Sequence, residues 1–114
     1  MDELVKKIAA FGLPAVVLMI AISATGLAGG AALTTALAAL GPFGMFGGIA
    51  LLGILGLSAD KITEISWEKI TKLVVKEQLK TSSKEEVIEY VKKSLITKSM
   101  KLKIIDYIEN FNEN

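Results

Sequence analysis

The sequence predicts an all-α protein in which a glycine-rich transmembrane helical hairpin precedes a small bundle of about three amphipathic helices. The first supporting observation is a run of 52 residues, Ile8 to Ala59, without an ionisable side chain. A helix rises about 1.5 Å per residue and the hydrocarbon core of a bilayer is roughly 30 Å thick, so one crossing takes about 20 residues. The run is therefore long enough for two crossings and a turn.

The second observation is an abrupt change of composition near Ser58. All ten glycines and both prolines precede this residue, whereas residues 58–114 contain neither and carry eleven Lys and ten acidic residues. Such a change indicates a boundary between two units. We predict a hydrophobic membrane-inserting hairpin over residues 1–59 and a charged cytoplasmic helical domain over residues 60–114.

The first hairpin helix is predicted as one continuous segment over residues 4–24, with Lys6 and Lys7 as charged side chains near its N-terminal end. Pro14 is expected to kink this helix, because lipid-embedded helices tolerate a proline where neighbouring groups satisfy the freed carbonyl. The sequence TGLAGG over residues 25–30 then predicts a break or a very close helix contact.

The middle of the hairpin has two interpretations. Residues 31–40 are too few to span a bilayer, so they either form a re-entrant segment or begin a bent second helix that turns at residues 41–44. Residues 45–57 are also short, and complete a crossing only by continuing past Ser58.

Three amphipathic helices are expected in the charged domain. Residues 60–80 place five apolar side chains near one stripe. Ser82 with Glu85, or Ser83 with Glu86, fits a capping box that starts a second helix running to about Leu95. A third is predicted over residues 99–110. The apolar stripe of the first consists of Ile62, Ile65, Ile70, Leu73 and Val74.

Small residues recur at four-residue spacing in the hairpin, which places them on one face of a helix. One line contains Gly26, Gly30, Thr34 and Ala38, and a second contains Gly44 and Gly48. Small side chains let two helix backbones approach closely in lipid. The lines are predicted either to form a helix-packing seam between copies of the chain or to pack the hairpin against itself.

Composition argues against an enzyme and against a nucleic-acid partner. The chain has no Cys and no His, which excludes thiolate nucleophiles, imidazole bases and the commonest zinc sites. All thirteen basic residues are Lys and the net charge is +1, so a strong basic field and bidentate phosphate contacts are both missing. No phosphate-loop pattern is present. We expect no catalytic residue, no metal and no cofactor.

The stretch TTALAALGPFGMFGGIALLGILG, Thr34 to Gly56, resembles the glycine-rich hydrophobic repeat of the small interferon-inducible membrane proteins. In that family a Thr/Ser-Leu-Ala-Ala motif precedes a glycine run, a Met and another small-residue helix. The similarity covers about a fifth of the chain, and Pro42 and Phe43 stand where that family favours glycines. It implies a small membrane-inserted protein linked to stress or cell-death responses.

Charge distribution predicts the orientation of the hairpin. Lysines flank the charge-free run on both sides, so the positive-inside rule places both termini in the cytoplasm. In a bacterium the location would be the inner membrane. A cleaved signal peptide is a weaker explanation, because Asp2 and Glu3 precede the apolar stretch, which also continues far beyond any cleavage point.

Trp67 has two interpretations. It follows the charge boundary by about seven residues, where an indole could anchor at the headgroup level of a bilayer. The alternative is a core side chain of the helical bundle.

The function predicted from these features is self-association in a lipid bilayer and its permeabilisation, as a pore-forming or cell-death effector that works as a homo-oligomer. One alternative is a non-porous membrane anchor whose residues 60–114 bind a protein partner. A holin-like protein of a phage is another. A third keeps the protein water-soluble until triggered, with the hairpin sheltered inside an oligomer or against the charged domain.

Overall fold

The computed structural model of the chain describes residues 2–41 and 66–112. These residues form six helices and no strands, which confirms the all-α prediction. In chain order the helices are α1 (Asp2–Ala9), α2 (Leu13–Ala24), α3 (Gly29–Leu40), α4 (Trp67–Gln78), α5 (Lys84–Lys93) and α6 (Lys98–Glu109).

Helix α2 lies at the centre of the described fold. It packs against all five other helices, most extensively against α4 and α3, while α1 also packs against α4 and α5 against α6. Helices from both sides of the predicted boundary therefore share one hydrophobic core. The boundary at residues 59 and 60 lies outside the described residues, so the division into two units stays a prediction.

The predicted continuous helix over residues 4–24 is wrong. Helix α1 ends at Ala9, α2 begins at Leu13, and their axes differ by 116°. Gly12 precedes α2 with φ 78° and ψ −151°, a backbone conformation that side-chain-bearing residues rarely adopt. Pro14 lies in the first turn of α2, where a missing N–H costs no helical hydrogen bond, so it begins a helix here and does not kink one.

The predicted break after the first apolar stretch is confirmed. Helix α2 ends at Ala24, and Gly26 has a φ of 72°. The Thr25 hydroxyl donates to the Ile22 carbonyl (2.8 Å) and accepts from the Leu27 amide (3.1 Å), which ties the turn to the end of α2. Helix α3 then ends at Leu40 and is followed by Gly41, whose φ is 61°. The remainder of the predicted turn and the apolar residues 45–57 lie outside the described residues.

The charged part of the chain follows its predicted pattern closely. Ser83 and Glu86 form the capping box of α5, with the Glu86 amide donating to Ser83 Oγ (3.1 Å) and the Ser83 amide donating to Glu86 Oε1 (3.3 Å). Helix α5 ends at Lys93, two residues earlier than predicted. Helix α6 begins at Lys98, with the Thr97 side chain as its cap. Residues 60–65 of the predicted first helix lie outside the described residues.

Candidate functional site

The candidate functional element is α2, an apolar helix buried on every side. Its eight consecutive residues from Ala15 to Ile22 are each at most 8% exposed, and the helix carries no ionisable side chain. A helix at the surface of a folded domain buries only one stripe. Helix α2 is therefore enclosed by its neighbours and has no polar face of its own.

The helices that enclose α2 are amphipathic or have one exposed face. Helix α4 buries Ile70, Val74 and Val75, while its lysines and Glu68 are exposed. Helix α6 in the same way buries Met100, Ile104 and Ile108. Each buried aliphatic side chain of this kind contributes about 1.5–3 kcal/mol relative to its exposed state. Burial of apolar surface is thus the main force that holds the enclosing helices on α2.

Two buried hydrogen bonds join α4 to the hairpin region. The Thr71 hydroxyl donates to the Met19 carbonyl of α2 (3.0 Å), and the Trp67 indole Nε1 donates to the Gly29 carbonyl at the start of α3 (3.1 Å). Trp67 and Thr71 are four residues apart and so lie on one face of α4. Each bond satisfies a donor that would otherwise be costly to bury, and both fix α4 in position.

Trp67 belongs to the protein core in this structure. Its side chain is 4% exposed, and its single donor is taken by Gly29. This is the core arrangement that the sequence allowed beside the interfacial one. Thr71 was not singled out from the sequence, although its position in the apolar stripe between Ile70 and Val74 is a local signal of a buried hydroxyl.

The predicted seam residues are only partly brought together. Gly30, Thr34 and Ala38 line one exposed face of α3, where the Thr34 hydroxyl donates to the Gly30 carbonyl of its own helix (3.0 Å). Gly26 is not part of this line, because it lies in the turn before α3. Gly44 and Gly48 lie outside the described residues. Self-association through these positions stays a prediction.

Within the described ranges no single helix is both long enough and apolar enough to cross a bilayer. The pair α1 and α2 meets the length and composition criteria together, but it is bent at the break between Ala9 and Leu13. Helix α3 is apolar and 12 residues long, a rise of about 18 Å. The transmembrane part of the predicted fold is therefore supported by composition alone.

No described residues form a cluster suited to a metal ion. A surface depression of about 230 Å³ lies where the α2–α3 turn meets the start of α4, and Glu68 is the one ionisable side chain among the described residues that line it. Comparison with known proteins gave no match to a protein-family model, a curated protein or a solved structure.

Proposed function

We propose that this protein inserts its apolar segments into a lipid bilayer and permeabilises it, and that the compact fold is the sheltered state that precedes insertion. The observation that carries the proposal is the enclosure of α2, a helix without a polar face, by its five neighbours, of which all but α3 carry charged side chains. Of the alternatives that the sequence left open, a hairpin sheltered against the charged domain agrees best with this arrangement.

The energetics favour a bilayer as the second environment for α2. Leaving the protein core for water would expose every side of this helix, at about 1.5–3 kcal/mol for each large aliphatic side chain. Transfer into hydrocarbon avoids most of this cost, because backbone groups remain hydrogen-bonded within the helix and the side chains stay in an apolar medium. The 12 residues of α2 contain no charge that would oppose the transfer.

Straightening the α1–α2 bend supplies the missing length. Helix α2 alone spans about 18 Å, well short of a bilayer core of roughly 30 Å. Residues 3–24 as one helix would extend about 33 Å, with Lys6 and Lys7 near one end at the headgroup level. Gly12 is the residue whose backbone would change from its positive φ to a helical one.

The exposed face of α3 provides a surface for self-association after insertion. Gly30, Thr34 and Ala38 present almost no side-chain bulk there, and a Cβ atom added at Gly30 would meet no atom within 4 Å. Close backbone contact through small residues is a recurrent way for helices to associate in lipid. The proposed assembly is a homo-oligomer in the membrane with both termini on the cytoplasmic side.

The test is release of a trapped dye from anionic vesicles by the full-length chain. We expect release by the wild type and at least about tenfold slower release by a Gly44→Leu/Gly48→Leu variant, because bulky side chains separate the backbones that small residues bring together. A Gly53→Leu/Gly56→Leu variant is the matched control, since it makes the same change in the same apolar run outside the predicted lines.

Equal dye release by the two glycine variants would reject self-association through Gly44 and Gly48. Insertion without any dye release would reject permeabilisation and favour the non-porous anchor whose charged helices bind a partner. A protein that neither inserts nor releases dye would make α2 an ordinary core helix, and the proposal would fail.

A further inference from the structure

The turn between α5 and α6 and the first half of α6 carry apolar side chains that point away from the core. Leu95 is 83% exposed and Leu102 is 60% exposed, whereas the neighbouring Ile96 and Met100 are 6% and 5% exposed. The inward side chains already attach this part of the chain to the core. Leu95 and Leu102 therefore remain as apolar surface that the described fold does not use.

The same region concentrates positive charge. Residues 92–103, which we name the α5–α6 tip, contain five lysines and no acidic residue. Because the two helices pack against each other across a four-residue turn, the end of α5 and the start of α6 lie at the same end of the pair. The five lysines are Lys92, Lys93, Lys98, Lys101 and Lys103.

The acidic side chains of the two helices lie toward the opposite end. Helix α5 carries its three glutamates from its first turn to Glu89, and α6 carries its acids from Asp106 onward. The helix pair is thus polarised along its length, with a positive tip and a negative base. Charge of one sign gathered on one end favours contact with an extended surface of opposite charge.

Most of the tip lysines are not neutralised by described residues. Lys93 lies 3.8 Å from Glu89, in an exposed pair that contributes little. Lys101 donates to the Lys92 carbonyl near the end of α5 (2.9 Å), an acceptor without a formal charge. Lys92, Lys98 and Lys103 are exposed and form no ion pair with any acidic residue that the structure describes.

We propose that the α5–α6 tip is a docking surface for an anionic lipid bilayer, with its lysines at the headgroups and Leu95 and Leu102 in the outer hydrocarbon. Charge complementarity selects an anionic partner, since lysines near such a surface each add to its attraction. The exposed leucines select a partner that has hydrocarbon beneath its charge, which a lipid bilayer provides and a nucleic acid does not.

The lysines of α4 and the turn that follows it form the natural comparison. Lys69, Lys72, Lys76 and Lys80 are equally exposed, but Glu68 and Glu77 alternate with them and Lys80 is paired with Glu77 at 3.0 Å. No strongly exposed leucine accompanies them among the described residues. This surface therefore has nearly as many lysines as the tip, four against five, and lacks its other two properties.

Docking is separate from the proposed permeabilisation, although it would bring the sheltered fold to the membrane. Binding to vesicles is measured by sedimentation and permeabilisation by dye release, so the failure of one does not imply the failure of the other. If sedimentation with vesicles depends on the tip but no dye is released, docking is retained and permeabilisation is rejected. Dye release and vesicle binding that are both unchanged in the tip variant would reject docking through the tip.

The first experiment compares two charge variants of the full chain. Vesicles of phosphatidylcholine alone, or with roughly a third phosphatidylglycerol, are sedimented with wild type, with Lys92→Gln/Lys93→Gln/Lys98→Gln/Lys103→Gln, and with Lys69→Gln/Lys72→Gln/Lys76→Gln/Lys80→Gln. We expect the tip variant to bind anionic vesicles about two orders of magnitude more weakly and the α4 variant to lose less than about tenfold. Equal losses in the two variants would overturn the proposal.

The second experiment tests the leucines. Leu95→Ser is expected to bind anionic vesicles about tenfold more weakly with unchanged helix content, because this side chain touches little of the fold. Leu27→Ser is the control, since Leu27 is 50% exposed in the α2–α3 turn. An equal loss of vesicle binding with Leu27→Ser would place the bilayer contact in the hairpin region and not at the tip. Duplex DNA bound as tightly as the vesicles, without dependence on Leu95, would indicate a different polyanion and overturn the proposal.

Discussion

Thr71 is the residue at which the two parts of the chain are most directly joined. Its hydroxyl is fully buried and donates to the Met19 carbonyl at 3.0 Å, so the centre of α2 and the first half of α4 are held in one register. The carbonyl of Met19 also belongs to the hydrogen-bonding pattern of α2 itself. Loss of the hydroxyl would therefore remove a bond without leaving the carbonyl unsatisfied.

Thr71→Val should lower the free energy of unfolding by about 0.5–1.5 kcal/mol, because a net hydrogen bond is lost while volume and branching are kept. Thr34→Val is the matched control, since Thr34 is exposed and donates only within α3. We expect the control to change stability by less than about 0.5 kcal/mol. Denaturant unfolding followed by circular dichroism measures both, and equal effects would remove the special role of Thr71.

Tyr107 links the end of α6 to the start of α4 through electrostatics. Burial raises the pKa of Tyr107 above its ordinary value, and the nearby Glu68 carboxylate raises this pKa further. The neutral phenol is thus favoured in the folded state. Because the unfolded phenol titrates near pH 10, this contribution to stability is present below about pH 10 and is lost as the pH rises through the folded pKa.

Tyr107→Phe should therefore lose less stability than the wild type between about pH 9 and pH 11. The substitution keeps the ring that packs on Phe111, with centroids 6.0 Å apart, so packing is unchanged. Unfolding curves at the two pH values measure the difference, and the two proteins differ in no other ionisable group. In an absorbance titration of tyrosine, Glu68→Gln should lower the Tyr107 pKa. Identical pH profiles for wild type and Tyr107→Phe would contradict this assignment.

Residue-level prediction from the sequence succeeded where the chemistry is local. Ser83 and Glu86 were one of two possible capping boxes, and the structure selects this pair. The sequence allows two environments for Trp67, because an indole suits both a protein core and the headgroup region of a bilayer. Its burial depends on Gly29, 38 residues earlier in the chain, and no spacing within α4 reports that contact.

The bend between α1 and α2 is the main difference between the predicted and the observed helices. The apolar run is continuous from Ile8 onward, so hydropathy predicts one long helix. Gly12 and Pro14 together are the local signal of a break, because glycine adopts backbone conformations closed to other residues and proline is frequent in the first turn of a helix. Hydropathy indicates which residues are buried, but it does not indicate where a helix axis changes direction.

Gly12→Ala should destabilise the compact fold by about 1–3 kcal/mol, because Gly12 has φ 78° and ψ −151°, which an alanine rarely adopts. Gly30→Ala is the matched control within α3, where no atom lies within 4 Å of an added Cβ and helix propensity favours alanine by up to about 1 kcal/mol. Thermal unfolding should shift in opposite directions for the two variants. A stabilising Gly12→Ala would contradict the observed bend.

At the scale of the whole molecule, the amphipathic helices of the charged part cover the apolar helix of the glycine-rich part. Their existence was predicted from local periodicity, since α4, α5 and α6 each show a stripe. Their packing partner was not fixed by that stripe, because an apolar face fits a second bundle helix, a bilayer or α2 equally well. The sheltered arrangement was one of several possibilities until the contacts of α2 were known.

Insertion as proposed requires α4 to separate from α2 at an anionic bilayer, and Trp67 reports on this step. It is the only tryptophan in the chain, 4% exposed, and bonded to Gly29 in the compact fold. The measurement is Trp67 fluorescence of the wild type, without vesicles and with anionic vesicles that carry shallow brominated lipids as quenchers. Docking of the closed fold alone would leave the indole in the core.

We expect the emission spectrum of a buried indole in solution, then a spectral shift and strong quenching on anionic vesicles, on the same time course as dye release. Quenching would place the released indole at the headgroup level, the environment that tryptophan prefers at a bilayer. An emission spectrum that stays unchanged and unquenched while the protein is fully bound to anionic vesicles would show that α4 stays on α2, and the proposed insertion would be wrong.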